Sequence, residues 1–156
     1  MGNGKFDDVS ASVGADFQGA AIHRGVAFGD LDNDGRIDAV VTALNGQLEV
    51  FHNVSQNKNH WIELQLRGIK SNRTGIGARI KLTAEDGSVQ YNHCTTSVGY
   101  ESSSDSRVHF GVGATSAKVK EIEVLWPSGI RQVVSDVQGD RTVKIEEQSS
   151  PASAKH

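Results

Sequence analysis

KEIEVLWPSGIRQVV, Lys120 to Val134, alternates apolar and polar side chains up to a turn and resumes after it. Ile122, Val124 and Trp126 fall on one side, and Glu121, Glu123 and Leu125 on the other. A period of two is the mark of a strand with one buried face. Pro127 and Gly129 punctuate the turn, because proline cannot donate to a ladder and glycine accepts backbone angles that other residues avoid. Read outward from here, the same pattern recurs. HWIELQL (60–66) sets Ile62, Leu64 and Leu66 against Trp61, Glu63 and Gln65. IGARIKLTA (76–84) aligns Ile76, Ala78, Ile80 and Leu82, and RTVKIEE (141–147) alternates Val143 and Ile145 with Thr142, Lys144 and Glu146. Asn45-Gly46-Gln47 and Glu85 to Ser88 are hairpin turns between further strands, and Gly139-Asp140 precedes the last one. No segment sustains a 3.6-residue period, so little or no helix is expected. The fold class is all-β.

Bulk composition narrows the function. The chain has 156 residues, a formal net charge of −3 and a pI near 6.0, which suits one ordinary domain or two very small ones. It carries no basic patch interleaved with aromatics, so nucleic acid is not an expected partner. No apolar run approaches the roughly 18 residues of a membrane span, and MGNGKFDDVS has neither the basic start nor the apolar centre of a signal peptide. The single cysteine, Cys94, excludes an internal disulfide and a cysteine-rich zinc site. The polar stretch NVSQNKN (53–59) divides the chain, giving an N-terminal unit over 1–55, a β module over 60–147 and a flexible tail over 148–156.

The N-terminal unit holds GDLDNDGRID, Gly29 to Asp38. Counted from Asp30 as position 1, carboxylates stand at positions 3 (Asp32), 5 (Asp34) and 9 (Asp38), with Gly35 at 6 and Arg36 at 7. Alternate carboxylates before a glycine make a hard-cation loop, in which every second side chain turns inward and position 7 supplies its backbone carbonyl. The expected ligand set is Asp30, Asp32, Asp34, the Arg36 carbonyl and Asp38. Ca2+ fits such oxygen ligands in loose geometry, whereas magnesium demands a tighter octahedron and zinc prefers nitrogen or sulfur. The loop is not an EF-hand. Thr42, near the distance where that motif has its glutamate, is not acidic, and the flanking segments are strand-like. Without a cation the same residues would make a solvated Asp-rich turn.

GVAFGDLDNDGRIDAVV (25–41), with Phe28-Gly29 directly before the acidic loop, resembles the FG-GAP or VCBS-type repeat of integrin-like propellers, over roughly residues 5 to 53. The second half resembles the ASPIC/UnbV module, through HFGVG (109–113), VLWPSG (124–129), TGIGARIKL (74–82) and VKIEE (143–147). Together the two parts are similar to the C-terminal end of cartilage acidic protein and its bacterial relatives. The resemblance implies a single propeller-type FG-GAP calcium hairpin followed by an antiparallel β-sandwich-like module. It also implies an extracellular or cell-envelope (secreted) location, calcium-dependent structure and no established reaction. A lone repeat unit cannot bury both faces, since repeat folds need about three units. Residues 5 to 53 are therefore expected to pack on the module or to exchange strands in a homo-oligomer.

Other chemistry-bearing residues are read more plainly. His93 and Cys94 are strand neighbours and point to opposite faces, so Cys94 is expected in the core and not as an activated nucleophile. The six histidines, at 23, 52, 60, 93, 109 and 156, show no metal-site spacing, and His109 is expected to be structural. GYESSSDSR (99–107) is either a solvated loop or a recognition loop contacting through Tyr100, Glu101 and Asp105. Asn53 and Asn72 begin glycosylation sequons. The functional expectation is a non-catalytic, calcium-binding interaction or adhesion module for a protein or glycan ligand. Its alternative is a carbohydrate-binding accessory domain of a larger secreted enzyme, using Trp61, Tyr100 and Trp126.

Overall fold

The structure, a computed structural model, describes residues 5–149. Residues 150–156, most of the tail expected from the sequence, lie outside them. Twelve strands are described: β1 (His23–Gly29), β2 (Asp38–Ala43), β3 (Glu49–Phe51), β4 (His60–Arg67), β5 (Arg79–Ala84), β6 (Val89–His93), β7 (Ser97–Gly99), β8 (Ser102–Ser103), β9 (Val108–Gly113), β10 (Lys118–Leu125), β11 (Arg131–Gln138) and β12 (Thr142–Glu146). Two short 3-10 turns, Ser10–Ser12 and Ala15–Gln18, precede them.

Two sheets enclose the core, one in the order β11-β10-β5-β6 and the other β12-β4-β9. Between them lie Ile62, Leu64 and Leu66 of β4, Ile80 and Leu82 of β5, Val108 and Phe110 of β9, Ile122 and Val124 of β10, and Ile145 of β12, all buried. The fold is thus all-β and sandwich-like, and the alternation in each of these strands is the cause: one face is apolar and needs cover. Pairing is antiparallel except for β12, which lies parallel to β4 with Thr142 opposite Glu63 and Glu146 opposite Arg67. Trp126 is 1% exposed and closes the core at the β10–β11 turn, where its ring N–H donates to Gln132 Oε1 at 3.0 Å.

Three local departures from strict alternation have physical causes. The register of β10 against β5 shifts between Val119 and Glu121, a bulge at Lys120. It brings Val119 and Ile122, three apart, into the same core. Ile76, aligned by the sequence with the core residues of β5, is exposed. Gly75 and Gly77 at φ 71° and 90° turn the chain before the strand starts. Glu63, on the polar side of HWIELQL, is 1% exposed, with Arg107 and Thr142 bonded to its carboxylate.

The N-terminal sheet, β1-β2-β3, contributes no side chain to the buried apolar core. It is attached through hydrogen bonds. The loop over 99–107 folds into the small β7–β8 hairpin, and its serines bind the edge of β1. Val26 N–H donates to Ser102 Oγ at 3.1 Å and Phe28 N–H to Ser104 Oγ at 2.9 Å. Asp105 N–H returns a bond to the Phe28 carbonyl at 3.0 Å. β1 therefore lies against the module within the chain. The hydroxyl-rich loop serves this seam, with Tyr100 and Glu101 left exposed at its tip.

The division of labour predicts that Ile122→Ala destabilises by about 2–5 kcal/mol, the range for emptying a close-packed core site. Val133→Ala, on the outer face, should stay within about 0.5 kcal/mol of the parent. Urea unfolding of both variants checks this, and equal losses would contradict a core confined to the two facing sheets.

Candidate metal centre

The acidic loop joins β1 to β2, whose ladder closes at Gly29 opposite Asp38. Asp30 and Asp38 stand at its two ends and are both 2% exposed. Their carboxylates organise the backbone. Asp30 accepts the N–H groups of Asp34 at 3.0 Å and Gly35 at 2.8 Å, and Asp38 accepts those of Leu31 at 3.0 Å and Asn53 at 2.8 Å. Asn33 and Gly35 take positive φ, 61° and 86°, to turn the loop back. Gly35 is also required by space, since a Cβ there would come within 2.0 Å of the Trp61 ring.

The four aspartates of the expected set fall in two overlapping groups, and the Arg36 carbonyl is in neither. Asp30, Asp32 and Asp38 each offer an oxygen within 4.8 Å of the others, and so do Asp32 and Asp34 with a His52 nitrogen. Asp32 belongs to both. His52 Nε2 lies 3.1 Å from Asp32 Oδ2, a neighbour that loop spacing alone does not reveal. The Arg36 side chain folds over the loop, donating to the Asn53 carbonyl at 2.6 Å and pairing with the Asp34 carboxylate. Each carboxylate has about four lone-pair sites, so an oxygen that accepts an N–H can also face a cation. The donor set is all oxygen apart from His52, which suits a hard divalent ion.

Beneath the loop lies a partly buried charged cluster. Arg107, just before β9, donates to four acceptors: Asp105 Oδ2 at 2.6 Å, and Asn33 Oδ1, Glu63 Oε2 and the Asp30 carbonyl at 2.7 Å each. Two of them belong to the acidic loop and one to the central strand β4. Thr142 of β12 adds a hydroxyl to Glu63 Oε2 at 3.2 Å. Burial pushes the Glu63 carboxyl up, and the Arg107 charge and Thr142 offset this only in part. For Arg107, burial alone would lower the pKa, but the bond to Asp105 and the charges of Glu63, Asp105 and Asp30 raise it. His109, opposite Glu63 on β9, stacks on Trp61 with ring centroids 6.0 Å apart. Its Nδ1 is buried without a hydrogen-bond partner among the described residues, 4.0 Å from Glu63 Oε1, and burial lowers its pKa.

An open cleft of about 600 Å3 separates the loop from the start of β4 and is lined by Asp34, Arg36, Asn57, His60 and Trp61 among others. The three rings proposed for glycan stacking do not share it. Trp126 is in the core, Tyr100 is 79% exposed on the β7–β8 hairpin, and Trp61 lies between Gly35 and His109. Cys94 is fully buried, with Sγ 3.3 Å from the Ser106 carbonyl, and burial pushes its thiol up. The sequon amides are engaged, Asn53 Nδ2 with the Ile37 carbonyl at 3.2 Å and Asn72 Nδ2 with that of Ile76 at 2.6 Å.

The family model described as ASPIC and UnbV matches residues 68–152. The chain belongs to this family. A search of the curated proteins finds no match. The ASPIC and UnbV span includes Arg107 and His109, whereas the acidic loop, Trp61 and Glu63 precede it. The charged cluster thus joins the family's own span to the segments before it.

Removing the guanidinium leaves Glu63 buried and uncompensated. Arg107→Ala should destabilise by about 3 kcal/mol at pH 7. Without Arg107 the folded-state pKa of Glu63 rises further above its unfolded value, so the folded variant gains relative stability at low pH and loses it as pH rises through that pKa. The deficit should therefore narrow between pH 7 and pH 5 in urea unfolding; a constant deficit would show that Glu63 is not the group left unpaired.

Proposed function

We propose that this protein is a non-catalytic, calcium-binding interaction module of an extracellular or cell-envelope protein, in which the metal sets the strand–loop–strand geometry of an FG-GAP-type repeat. The observation that carries the reading is the convergence of Asp30, Asp32 and Asp38, with oxygens within 4.8 Å of one another, on a loop whose backbone already fixes two of them. Like charges held so close repel unless a cation lies among them. Asp30, Asp32 and Asp38 would hold Ca2+ from one side, and Asp34 and the Arg36 carbonyl are the further oxygens the spacing assigns. Bound calcium supplies charge neutralisation and a fixed loop. The chain's own residues supply the rest: Gly35 lets the loop rest on Trp61, and Arg107 ties Asp30 and Asn33 to β4.

Interaction is favoured over catalysis by the exposed apolar side chains of the N-terminal sheet and its turns. Ile22 and Leu48 are each 60% exposed and Val50 is 56% exposed, on a unit that buries no apolar core of its own. These residues suit a protein partner or a second copy of the chain. The carbohydrate-binding alternative needs aromatic rings in one groove, and the separation of Trp61, Tyr100 and Trp126 weighs against it.

Calcium that binds only the folded state raises stability by mass action, about 2.7 kcal/mol at a hundredfold excess over Kd. For a chain of this size that is a rise in Tm of roughly 5–10 °C. The rise should vanish in Asp32→Ala and Asp34→Ala, and magnesium at equal concentration should produce much less. Differential scanning calorimetry with calcium, magnesium and chelator provides the test. An unchanged Tm in all three would remove the calcium reading.

A further inference from the structure

Glu147 follows the last strand and is 3% exposed. Its Oε2 accepts the backbone N–H groups of Ile69, Lys70 and Ser71, each at 2.7 Å. Its Oε1 accepts the Ser71 hydroxyl at 2.9 Å and the Ser128 hydroxyl. Ser128 N–H in turn donates to Ser71 Oγ at 3.1 Å, which holds the two hydroxyls in place. Three successive backbone N–H groups aimed at one point form an anion-binding concavity. Here the turn after β4 provides them, and the WPSG turn between β10 and β11 provides the second hydroxyl.

The receptor and its ligand belong to different segments. Glu147 reaches the site from the end of β12, which is held independently by its parallel ladder on β4 and by the bond from Glu147 N–H to the Arg67 carbonyl at 2.8 Å. The donors divide between the two oxygens, N–H groups on one and hydroxyls on the other, which matches a planar carboxylate. Burial alone would push the Glu147 carboxyl up. The Ser128 and Ser71 hydroxyls and the backbone N–H groups outweigh it and hold it at about 2. Depression below the unfolded value means that this stability is present above pH 4.5 and is lost as pH falls through about 2.

We propose that Ile69, Lys70 and Ser71, with the Ser128 hydroxyl, form a carboxylate-binding site that Glu147 fills in cis and that accepts a free carboxylate once that side chain is removed. Truncation to alanine deletes one methylene and the carboxylate, a volume that acetate replaces. The site also accounts for two motifs that the calcium reading leaves aside: WPSG supplies Ser128 and VKIEE supplies Glu147, both within 68–152. The site shares no residue with the acidic loop.

Chemical rescue of the full chain tests it. Glu147→Ala should melt several degrees below the parent at pH 7, and roughly 0.1 M acetate should recover a large part of the loss by mass action. Acetamide and chloride at the same concentration should not, and the parent should respond to none of them. In 1H–15N spectra of the variant, acetate should move the Ile69, Lys70 and Ser71 amides together toward their positions in the parent. Equal effects of acetate and acetamide, an equal response in the parent, or unmoved amides would overturn the proposal. If the variant does not fold alone, refolding yield with acetate against acetamide decides, and equal yields would count against the site.

Discussion

The pair of buried Glu63 and half-buried Arg107 is the constraint on which the rest of the arrangement depends. Taking two charges out of water costs several kcal/mol per ion, and the attraction between them recovers it only when the remaining donors and acceptors are satisfied. Arg107 meets that condition by bonding four acceptors on three segments. A lysine, with a point charge and no planar fork, could not span them. Glu63 occupies the middle of the central strand, with Thr142 opposite on one neighbour and His109 on the other. The position of the acidic loop is therefore set by the strand at the centre of the sandwich. Any displacement of the loop would strand a guanidinium and a carboxylate in a space that water reaches poorly.

This explains how a sheet without a core of its own can be held. The sandwich is cohesive because its apolar faces meet. The N-terminal sheet is held by directed polar contacts: serine hydroxyls on the edge of β1, Gly35 against Trp61, and the Arg107 fan. Hydrogen bonds contribute about 1 kcal/mol each net and break one at a time, whereas the core opens only as a unit. The two halves consequently differ in local stability, with the polar seam opening before the sandwich does. The seam also explains why the β7–β8 hairpin carries so many hydroxyls. They saturate the exposed N–H groups of an edge strand that would otherwise invite pairing with another chain.

Much of this was legible in the sequence where the physics is local. Alternation marked the core residues of β4, β5, β10 and β12, because a side-chain period of two follows from strand geometry alone. Turn chemistry marked the hairpins, and Asp spacing marked the loop. What was not legible depends on partners far away in the chain. Glu63 looks like an outward polar residue in HWIELQL, and nothing local shows that Arg107, 44 positions on, will bury it. The bulge at Lys120, the outward turn of Ile76 and the parallel placement of β12 depend likewise on what each strand pairs with. His52 joined the loop through the β2–β3 register, which sets a residue 20 positions away beside Asp32.

The carboxylates of the loop do not all have the same task. Asp30 and Asp38 are buried and spend hydrogen-bonding capacity on the backbone N–H groups that shape the turn, so they are structural whether or not a cation is present. Asp34 has a cation of its own in Arg36. Asp32 differs: it is about half exposed, its neighbour is His52, and it alone belongs to both groups of converging ligands. The proposed cation would therefore meet two carboxylates already oriented by the backbone and one, Asp32, that is half exposed. Preorganisation of that kind would lower the cost of binding. On the proposed reading, the charge density of the segment answers two demands, a backbone that needs acceptors and a site that would need oxygens, met by the same residue type at alternate positions.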